Sequence, residues 1–94
     1  MRSLVWSKTF TRSLKRTLRK QPAAKKSIEA ALGLLKKDPF AEKLATHKLR
    51  GKLSGTWACT VEFDLRILFD FIAREDQEEN DIFLIGIGAH DEVY

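Results

Sequence analysis

The chain has 94 residues, of which 44% are hydrophobic, and its formal net charge is +4 at pH 7. A chain of this length is expected to form a single domain, residues 1–94, around one hydrophobic core. The longest uncharged apolar run, 82–89, is too short to span a bilayer, and the first residues lack the apolar region of a signal peptide. We therefore expect neither a membrane protein nor a secreted one.

The N-terminal half is predicted to hold a short strand and a basic helix. Leu4–Trp6 is β-prone, and the helix is expected over residues 7–20. Apolar residues recur there every four positions, which places them on one helical face: Phe10, Leu14 and Leu18. Most of the remaining surface of this helix is basic, with Arg12, Lys15, Arg16, Arg19 and Lys20.

A second helix is predicted over residues 23–37. Pro22 separates it from the first helix, since proline is well tolerated in a first helical turn, and Asp38-Pro39 ends it. Its buried stripe is expected to consist of Ala24, Ile28, Ala31, Leu32 and Leu35. The segment that follows, 40–55, is predicted to be irregular.

Three strand-like runs complete the chain, at 57–63, 65–72 and 82–89, with an acidic loop over 75–81. Alternation predicts that each of the first two runs has one apolar side that faces the core. In the run 57–63 this side consists of Trp57, Cys59, Val61 and Phe63, and in the run 65–72 it consists of Leu65, Ile67, Phe69 and Phe71. The last run is apolar on both sides, as in a central strand. The order β-α-α-β-β-β predicts an α+β fold in which a helical hairpin packs on one face of a small antiparallel sheet.

The two signs of charge are segregated along the chain. Residues 1–52 hold fifteen Lys or Arg and three acidic residues, a net charge of +12, whereas residues 53–94 hold two Arg and ten acidic residues, a net charge of −8. A basic half attracts polyanions such as nucleic acid through long-range fields and counterion release. The alternative is that lysines only keep short helices solvated, and charge alone does not separate the two.

The single cysteine, Cys59, cannot form an internal disulfide. Its place in a strand-like run favours a buried apolar residue over a nucleophile, which would need a histidine partner and an electropositive pocket. Two histidines without a cysteine pair give no metal-ligand spacing, so we predict no metal and no cofactor. A cytoplasmic protein fits this cysteine usage best.

Three stretches of the second half resemble the RelE/ParE toxin superfamily. The first is the stretch 55–71, which begins Gly-Thr-Trp and ends in an Asp-Leu-Arg-Ile-Leu-Phe-Asp-Phe run, and the second is the ending 85–94. The third is the pattern His47-x-Leu49-x-Gly51-x-Leu53-x-Gly55, which is similar to the YafQ-like branch. The resemblance implies a RelE-like microbial ribonuclease-type fold. It also implies the toxin of a type II toxin–antitoxin system, an endoribonuclease (mRNA interferase) that cuts translated mRNA on the ribosome and is neutralised by a cognate antitoxin.

The sequence departs from the YafQ-like branch at two positions. That branch carries an acid and a second histidine in the first strand after the glycine-rich stretch, and the matching residues here are Ala58 and Thr60. The full YafQ catalytic set therefore does not transfer. RelE keeps the strand arginine and the terminal tyrosine and relies on basic residues instead, whereas ParE-like relatives bind gyrase and cut nothing.

The candidate catalytic residues follow from metal-independent cleavage by the RNA's own 2′-OH, which needs a base, positive charge on the phosphate and an acid at the leaving oxygen. Arg66 stands alone in an apolar strand, where its fork of donors suits a phosphate; a salt bridge with Asp64 or Asp70 is the structural alternative. The remaining candidates are His90 as general acid or base, His47 as base or phosphate ligand, Asp64 as base or orienting group, and Tyr94 as a platform for base stacking.

The basic residues outside this set are candidate RNA contacts. Lys48, Arg50 and Lys52 form a charge run that suits a phosphate-binding loop, although such a run is normally only a solvated loop. The cations of the first helix, listed above, are expected to contact ribosomal RNA without reading its sequence.

Two other functions stay open at this point. A ParE-like or catalytically weak toxin would inhibit gyrase or the ribosome by binding alone, which Ala58 and Thr60 favour. A plain RNA-binding module is the third reading, but the exposed aromatic pairs of an RRM-type sheet are missing from the strands. For a toxin that cuts RNA, and equally for one that acts by binding alone, we predict an antitoxin. Its acidic, partly disordered segment is expected to become ordered over the basic half of this chain.

Overall fold

The computed structural model describes residues 2–50, 55–76 and 78–89. Its helices and strands are β1 (Leu4–Trp6), α1 (Lys8–Lys20), α2 (Lys25–Lys37), β2 (His47–Lys48), β3 (Trp57–Glu62), β4 (Leu65–Ile72) and β5 (Asp81–Ala89), with single 3₁₀ turns at Pro22–Ala24 and Glu42–Leu44. Within the described residues, no helix is long and apolar enough to cross a membrane.

Helix α1 begins where the sequence predicts. The Ser7 side chain accepts a hydrogen bond from the Phe10 amide at 3.0 Å, which satisfies one of the free N–H groups of the first turn. Phe10 is fully buried, and Leu14 and Leu18 pack partly buried against the core. The predicted apolar face is therefore confirmed.

Helix α2 follows the 3₁₀ turn that starts at Pro22. The helix ends at Lys37. The Asp38 amide closes the last turn on the Leu34 carbonyl at 2.7 Å. All five residues predicted for its inner stripe are buried: Ala24, Ile28, Ala31, Leu32 and Leu35.

Both helices pack on a five-stranded sheet of order β1-β5-β4-β3-β2. The α+β fold class is confirmed, with two features that the sequence pattern does not predict. The first strand pairs parallel with the last, Leu4 opposite Ile82 and Trp6 opposite Leu84. The segment predicted to be irregular contains β2, which pairs antiparallel with β3 at the sheet edge.

The sheet has a helix-side face and a distal face. Directly paired residues share a face, so the buried row Cys59, Ile67 and Ile87 lies on the helix-side face, within the core that α1 and α2 complete. The neighbouring rows lie on the distal face: His47, Ala58, Leu68 and Gly86 in one, Thr60, Arg66 and Gly88 in the next.

Helix α1 also covers the edge of β5 beyond the short strand β1. The Ser13 hydroxyl accepts a hydrogen bond from the Ile87 amide at 3.1 Å and donates to the Phe10 carbonyl at 3.0 Å. The buried Thr17 hydroxyl donates to the Ile87 carbonyl at 3.5 Å, a weak bond by its length. Two helix side chains thus replace the strand that is missing at this edge.

The turn between β3 and β4 corrects one prediction. Strand β3 ends at Glu62, one residue earlier than expected, and its pairing with β4 shifts register between Thr60 and Glu62. Phe63 was expected on the core side with Trp57 and Cys59, but it lies in the turn and is 97% exposed. The shift in register breaks the alternation on which that prediction depended.

A buried carboxylate ties β1 to the start of β5. Asp81 is 4% exposed, and it accepts hydrogen bonds from the Ser3 amide at 2.8 Å and from Arg74 Nη1 at 2.9 Å. These hydrogen bonds hold the pKa of Asp81 below its usual value, and the bond from the Ser3 amide has a larger effect than the bond from Arg74. This contact lies at the far end of the sheet from the β3–β4 turn.

Candidate functional site

The distal face carries two of the candidate residues that belong to the sheet, Arg66 and His47. Arg66 lies in the middle strand β4, between Thr60 of β3 and Gly88 of β5. His47 lies on the same face at the β2 edge, in the row that continues through Ala58. Neighbouring strands are about 4.8 Å apart, so His47 lies roughly 10 Å across the sheet from the β4 strand.

Arg66 has a structural partner that the sequence analysis did not foresee. Its Nη1 donates to the carbonyl of Glu62 at 2.9 Å, of Phe63 at 3.1 Å and of Leu65 at 3.3 Å. The guanidinium thus bridges the β3–β4 turn, whereas one oxygen of Asp70, a partner considered from the sequence, accepts from the Phe71 amide. The guanidinium has five N–H donors, so those that the turn does not use can still donate hydrogen bonds to an anion.

Asp64 lies in the same turn, exposed, two residues before Arg66. The carboxylate that we predict as base or orienting group and the guanidinium that we predict for phosphate are therefore close in the chain, on a turn that Arg66 itself stabilises. Strand β5 reaches the same end of the sheet, since Ala89 pairs with Leu65.

His47 and Lys48 point to opposite faces, because successive side chains of a strand alternate. Lys48 pairs with Trp57 on the helix side, so the basic run does not present these two residues to one surface. Arg50 is exposed after β2. The other members of the predicted site, Lys52, His90 and Tyr94, lie outside the described residues.

A groove of about 300 Å³ runs where α1 meets the distal face. We call it the α1 groove; Arg12 and Arg16 line it from the helix, and Leu68 and Gly86 line it from the sheet. A side chain at Gly86 would enter this space, since its Cβ would lie 3.9 Å from Ser13 Oγ with no closer neighbour. Arg12 and Arg16 therefore lie beside the row of Leu68 and Gly86, which is next to the row that contains Arg66.

The other cations of α1 are divided between sites. Lys15 lies with Arg12 in a second, shallow groove beside Trp6 on the outer side of the helix. Arg19 and Lys20 are exposed in the last helical turn, where they also favour the helix dipole. The structure therefore brings Arg12 and Arg16 to the distal face and leaves Lys15 away from it.

The sheet side of the α1 groove was not predicted from the sequence. Gly86 and Gly88 alternate along β5 and both lie on the distal face. A glycine inside a strand marks a place where a ligand or another chain segment approaches the backbone closely. The family resemblance covers these two glycines only as part of the ending 85–94, and their spacing along the strand is the signal that indicates the groove.

Cysteine and metal-ligand chemistry were also considered from the sequence. Burial raises the pKa of the Cys59 thiol to about 12, so at neutral pH the group is a protonated, apolar core residue, as predicted. No cluster of three or more His, Cys, Asp or Glu side chains suitable for a metal ion is found among the described residues.

Comparison with protein families gives one match that spans nearly the whole chain. Residues 2–94 match the family described as "Bacterial toxin of type II toxin-antitoxin system, YafQ". A search of curated protein sequences finds no match.

Solved structures with this fold include several bacterial toxins. The crystal structure of YafQ from E. coli superposes with a TM-score of 0.78 at 16% sequence identity and covers 100% of this chain and 99% of that one. YafQ in the E. coli DinJ–YafQ complex gives a TM-score of 0.77 at 14% identity, with 100% and 99% covered. A metal-bound toxin from Helicobacter pylori gives 0.75 at 27% identity, with 100% of each chain covered.

Proposed function

Since this chain belongs to the YafQ family of bacterial toxins of type II toxin–antitoxin systems, we infer that it is an endoribonuclease that cuts translated mRNA on the ribosome. The observation that carries this proposal is the convergence of cations from two elements on one surface. Arg12 and Arg16 of α1 line a groove on the distal face, one strand row away from Arg66. Convergent cations suit a polyanion better than a small neutral ligand.

In the proposed reaction the RNA supplies its own nucleophile. The 2′-oxygen attacks the adjacent phosphorus, its proton passes to a base, and the bond from phosphorus to the 5′-oxygen breaks as that oxygen takes up a proton. The products are a 2′,3′-cyclic phosphate and a 5′-hydroxyl end. This route needs a base, an acid and positive charge at the phosphate, and a metal is not required.

The roles in this reaction are assigned to the candidate residues predicted from the sequence. Arg66 stabilises the charge on the phosphate with the donors that its turn contacts do not use. Asp64 and His47 are the candidates for the base, and His90 is the candidate for the acid. Tyr94 stacks on a base of the substrate, which is the usual way in which proteins hold unpaired RNA.

Contacts with the ribosome are assigned to the basic surface outside the reaction centre. Arg19 and Lys20 extend the α1 cations along the exposed end of the helix, and Lys48 and Arg50 add charge near the β2 edge. Lys52 is assigned the same role from the sequence. Such contacts neutralise phosphates and orient the protein without reading sequence. The proposed activity belongs in the cytoplasm, because translated mRNA is found there.

A cognate antitoxin is the proposed protein partner. The solved DinJ–YafQ complex has this fold on its toxin side. The first half of the present chain carries a net charge of +12, which an acidic, partly disordered segment would complement. Binding along α1 would cover Arg12 and Arg16 and so block access of RNA to the α1 groove.

One observation favours a second function, a toxin that inhibits its target by binding without cleavage. Ala58 and Thr60, which carry no titratable group, lie on the distal face beside the β4 strand. Arg66 Nη1 already serves the turn. A site with these residues would bind RNA or another target and lack part of the catalytic equipment.

Mapping of transcript 5′ ends separates the two functions. The wild-type chain and Arg66→Ala are expressed in bacteria, and ends that carry a 5′-hydroxyl inside translated codons are counted. Loss of a charged donor at the reacting phosphate is expected to lower cleavage by about 10²–10³-fold. Loss of the turn contacts alone costs about 1–2 kcal/mol, which leaves a protein of ordinary stability folded.

Folding of the variant is checked by its melting curve, and Arg74→Ala provides the control, because it also loses a partly exposed arginine. The control is expected to retain wild-type cleavage. Intact transcripts in cells that express the wild-type chain, together with growth arrest, would refute cleavage and leave the binding function.

A further inference from the structure

Phe63, at the tip of the β3–β4 turn, is 97% exposed. The turn is held in place by Arg66, whose Nη1 binds the carbonyls on both sides of the phenylalanine, Glu62 and Leu65, and that of Phe63 itself. The ring therefore lies in water on a stabilised turn and contributes nothing to the core of its own chain. Aromatic rings of this kind are enriched in protein–protein interfaces.

A groove of about 280 Å³ begins two residues before Phe63, at Val61, and runs along α2. We call it the α2 groove; its apolar lining includes Ala30, Leu34 and Leu44. This volume lies at the lower limit for small-molecule sites and suits a single large side chain. The groove and the exposed ring thus lie on one continuous surface at the β3 side of the sheet.

The charges around the ring and the groove are complementary. Glu62, next to Phe63, is exposed, and the lysines that line the groove, Lys26 and Lys43, are exposed as well. None of these three side chains forms an ion pair with another residue in the described part of the chain. The exposed ring thus lies beside a negative charge, and the α2 groove lies beside two positive charges. The same surface on a second copy of the chain would therefore match it in both shape and charge.

We propose that two copies of this chain associate through this surface, with Phe63 of each copy in the α2 groove of the other and Glu62 facing Lys26 and Lys43 across the contact. A twofold axis generates both contacts at once, because ring and groove belong to the same patch, and the assembly closes as a dimer. The dimer goes beyond the proposed ribonuclease activity and is tested by the state of association. Its contact adjoins Asp64, a candidate base, in the β3–β4 turn, whereas the α1 groove lies at the β5 edge of the sheet.

The first test is sedimentation velocity of the purified full chain from about 1 to 500 μM, a range that covers the affinities expected for a small interface. The wild-type chain is expected to pass from monomer to dimer. Burial of one phenylalanine is worth roughly ten- to a hundredfold in an equilibrium, and the dimer contains two, so Phe63→Ser should weaken association by roughly a hundredfold or more. Phe40→Ser, which removes an aromatic ring that is 57% exposed elsewhere, should leave association unchanged.

The second test reverses charges and does not depend on the aromatic ring. Glu62→Lys and the double variant Lys26→Glu with Lys43→Glu each place like charges opposite each other, and each is expected to be monomeric. In a one-to-one mixture both contacts regain opposite charges, so a heterodimer is expected to form at the wild-type concentration. This rescue distinguishes a contact between the two sites from a loss of folding, which melting curves of each variant check directly.

A wild-type chain that remains monomeric over the whole range would overturn the proposal, and so would a dimer that Phe63→Ser leaves intact. A mixture of the charge variants that stays monomeric would do the same. If the wild-type chain is monomeric and Phe63→Ser instead loses binding to a co-expressed antitoxin, the α2 groove belongs to that partner and the proposed dimer is wrong.

Discussion

The contact between Ser13 and the β5 edge gives the sharpest test of how the fold is stabilised. Ser13→Ala removes the acceptor of the Ile87 amide, and Ile87 is fully buried. A buried N–H that loses its partner costs about 1–3 kcal/mol, and the higher helix propensity of alanine returns roughly 0.5 kcal/mol. The expected loss of stability is about 1–2 kcal/mol, which for a chain of this size lowers Tm by roughly 5–15 °C.

The assay combines urea unfolding with amide hydrogen exchange, which follows the Ile87 N–H directly. Thr11→Ala is the matched control, because its hydroxyl bonds only the Ser7 carbonyl within the same helical turn. The control is expected to stay within about 0.5 kcal/mol of the wild-type free energy of unfolding. Equal stability of the two variants, with unchanged exchange at Ile87, would refute the view that α1 side chains close this edge of the sheet.

Four further outcomes are expected. Arg12→Gln should lower the slope of log affinity against log salt for single-stranded RNA by about 1, measured by fluorescence anisotropy, whereas Lys36→Gln on α2 should leave it unchanged. Asp81→Asn should destabilise the chain above about pH 5. Because the folded-state pKa of Asp81 is lowered, its stabilisation is lost as the pH falls through that pKa, and melting curves of variant and wild type should converge in acid; a constant difference would contradict this. The Cys59 thiol should not react with a thiol reagent at pH 8 until the chain unfolds, since burial raises its pKa to about 12; fast labelling of the native chain would disprove it. Gly86→Glu should abolish RNA binding, as judged by gel shift, because its carboxylate enters the groove between the arginines of α1, while Gly86→Ala keeps most of it.

The elements that depend on local periodicity were predictable from the sequence. The i, i+4 spacing that begins at Phe10 gives α1, and strict alternation gives β4 with Ile67 inside and Arg66 outside. Both patterns repeat over many residues, so the prediction of each element does not depend on the identity of any single residue. The exposed Phe63 shows the limit, because one shift of register changes the face on which every later residue of a strand lies.

Features that depend on distant partners were not predictable. Strand β2 is only two residues long and has no periodicity, and the parallel pairing of Leu4 with Ile82 joins residues far apart in the chain. The candidate site was predicted from residue types, and these single out Arg66 as a candidate. Its bonds to the turn were not predicted, because carbonyl groups carry no sequence signal.

The position of β5 in the sheet has a consequence for the time at which the protein can become toxic. This strand is synthesised after the other four, yet it lies between β1 and β4 and forms most of the pairing in the sheet. A nascent chain that lacks β5 leaves the inner edge of β4 and the whole of β1 unpaired. Contacts between distant segments also slow folding. The sheet, and with it a folded toxin, can therefore form only after β5 has been synthesised.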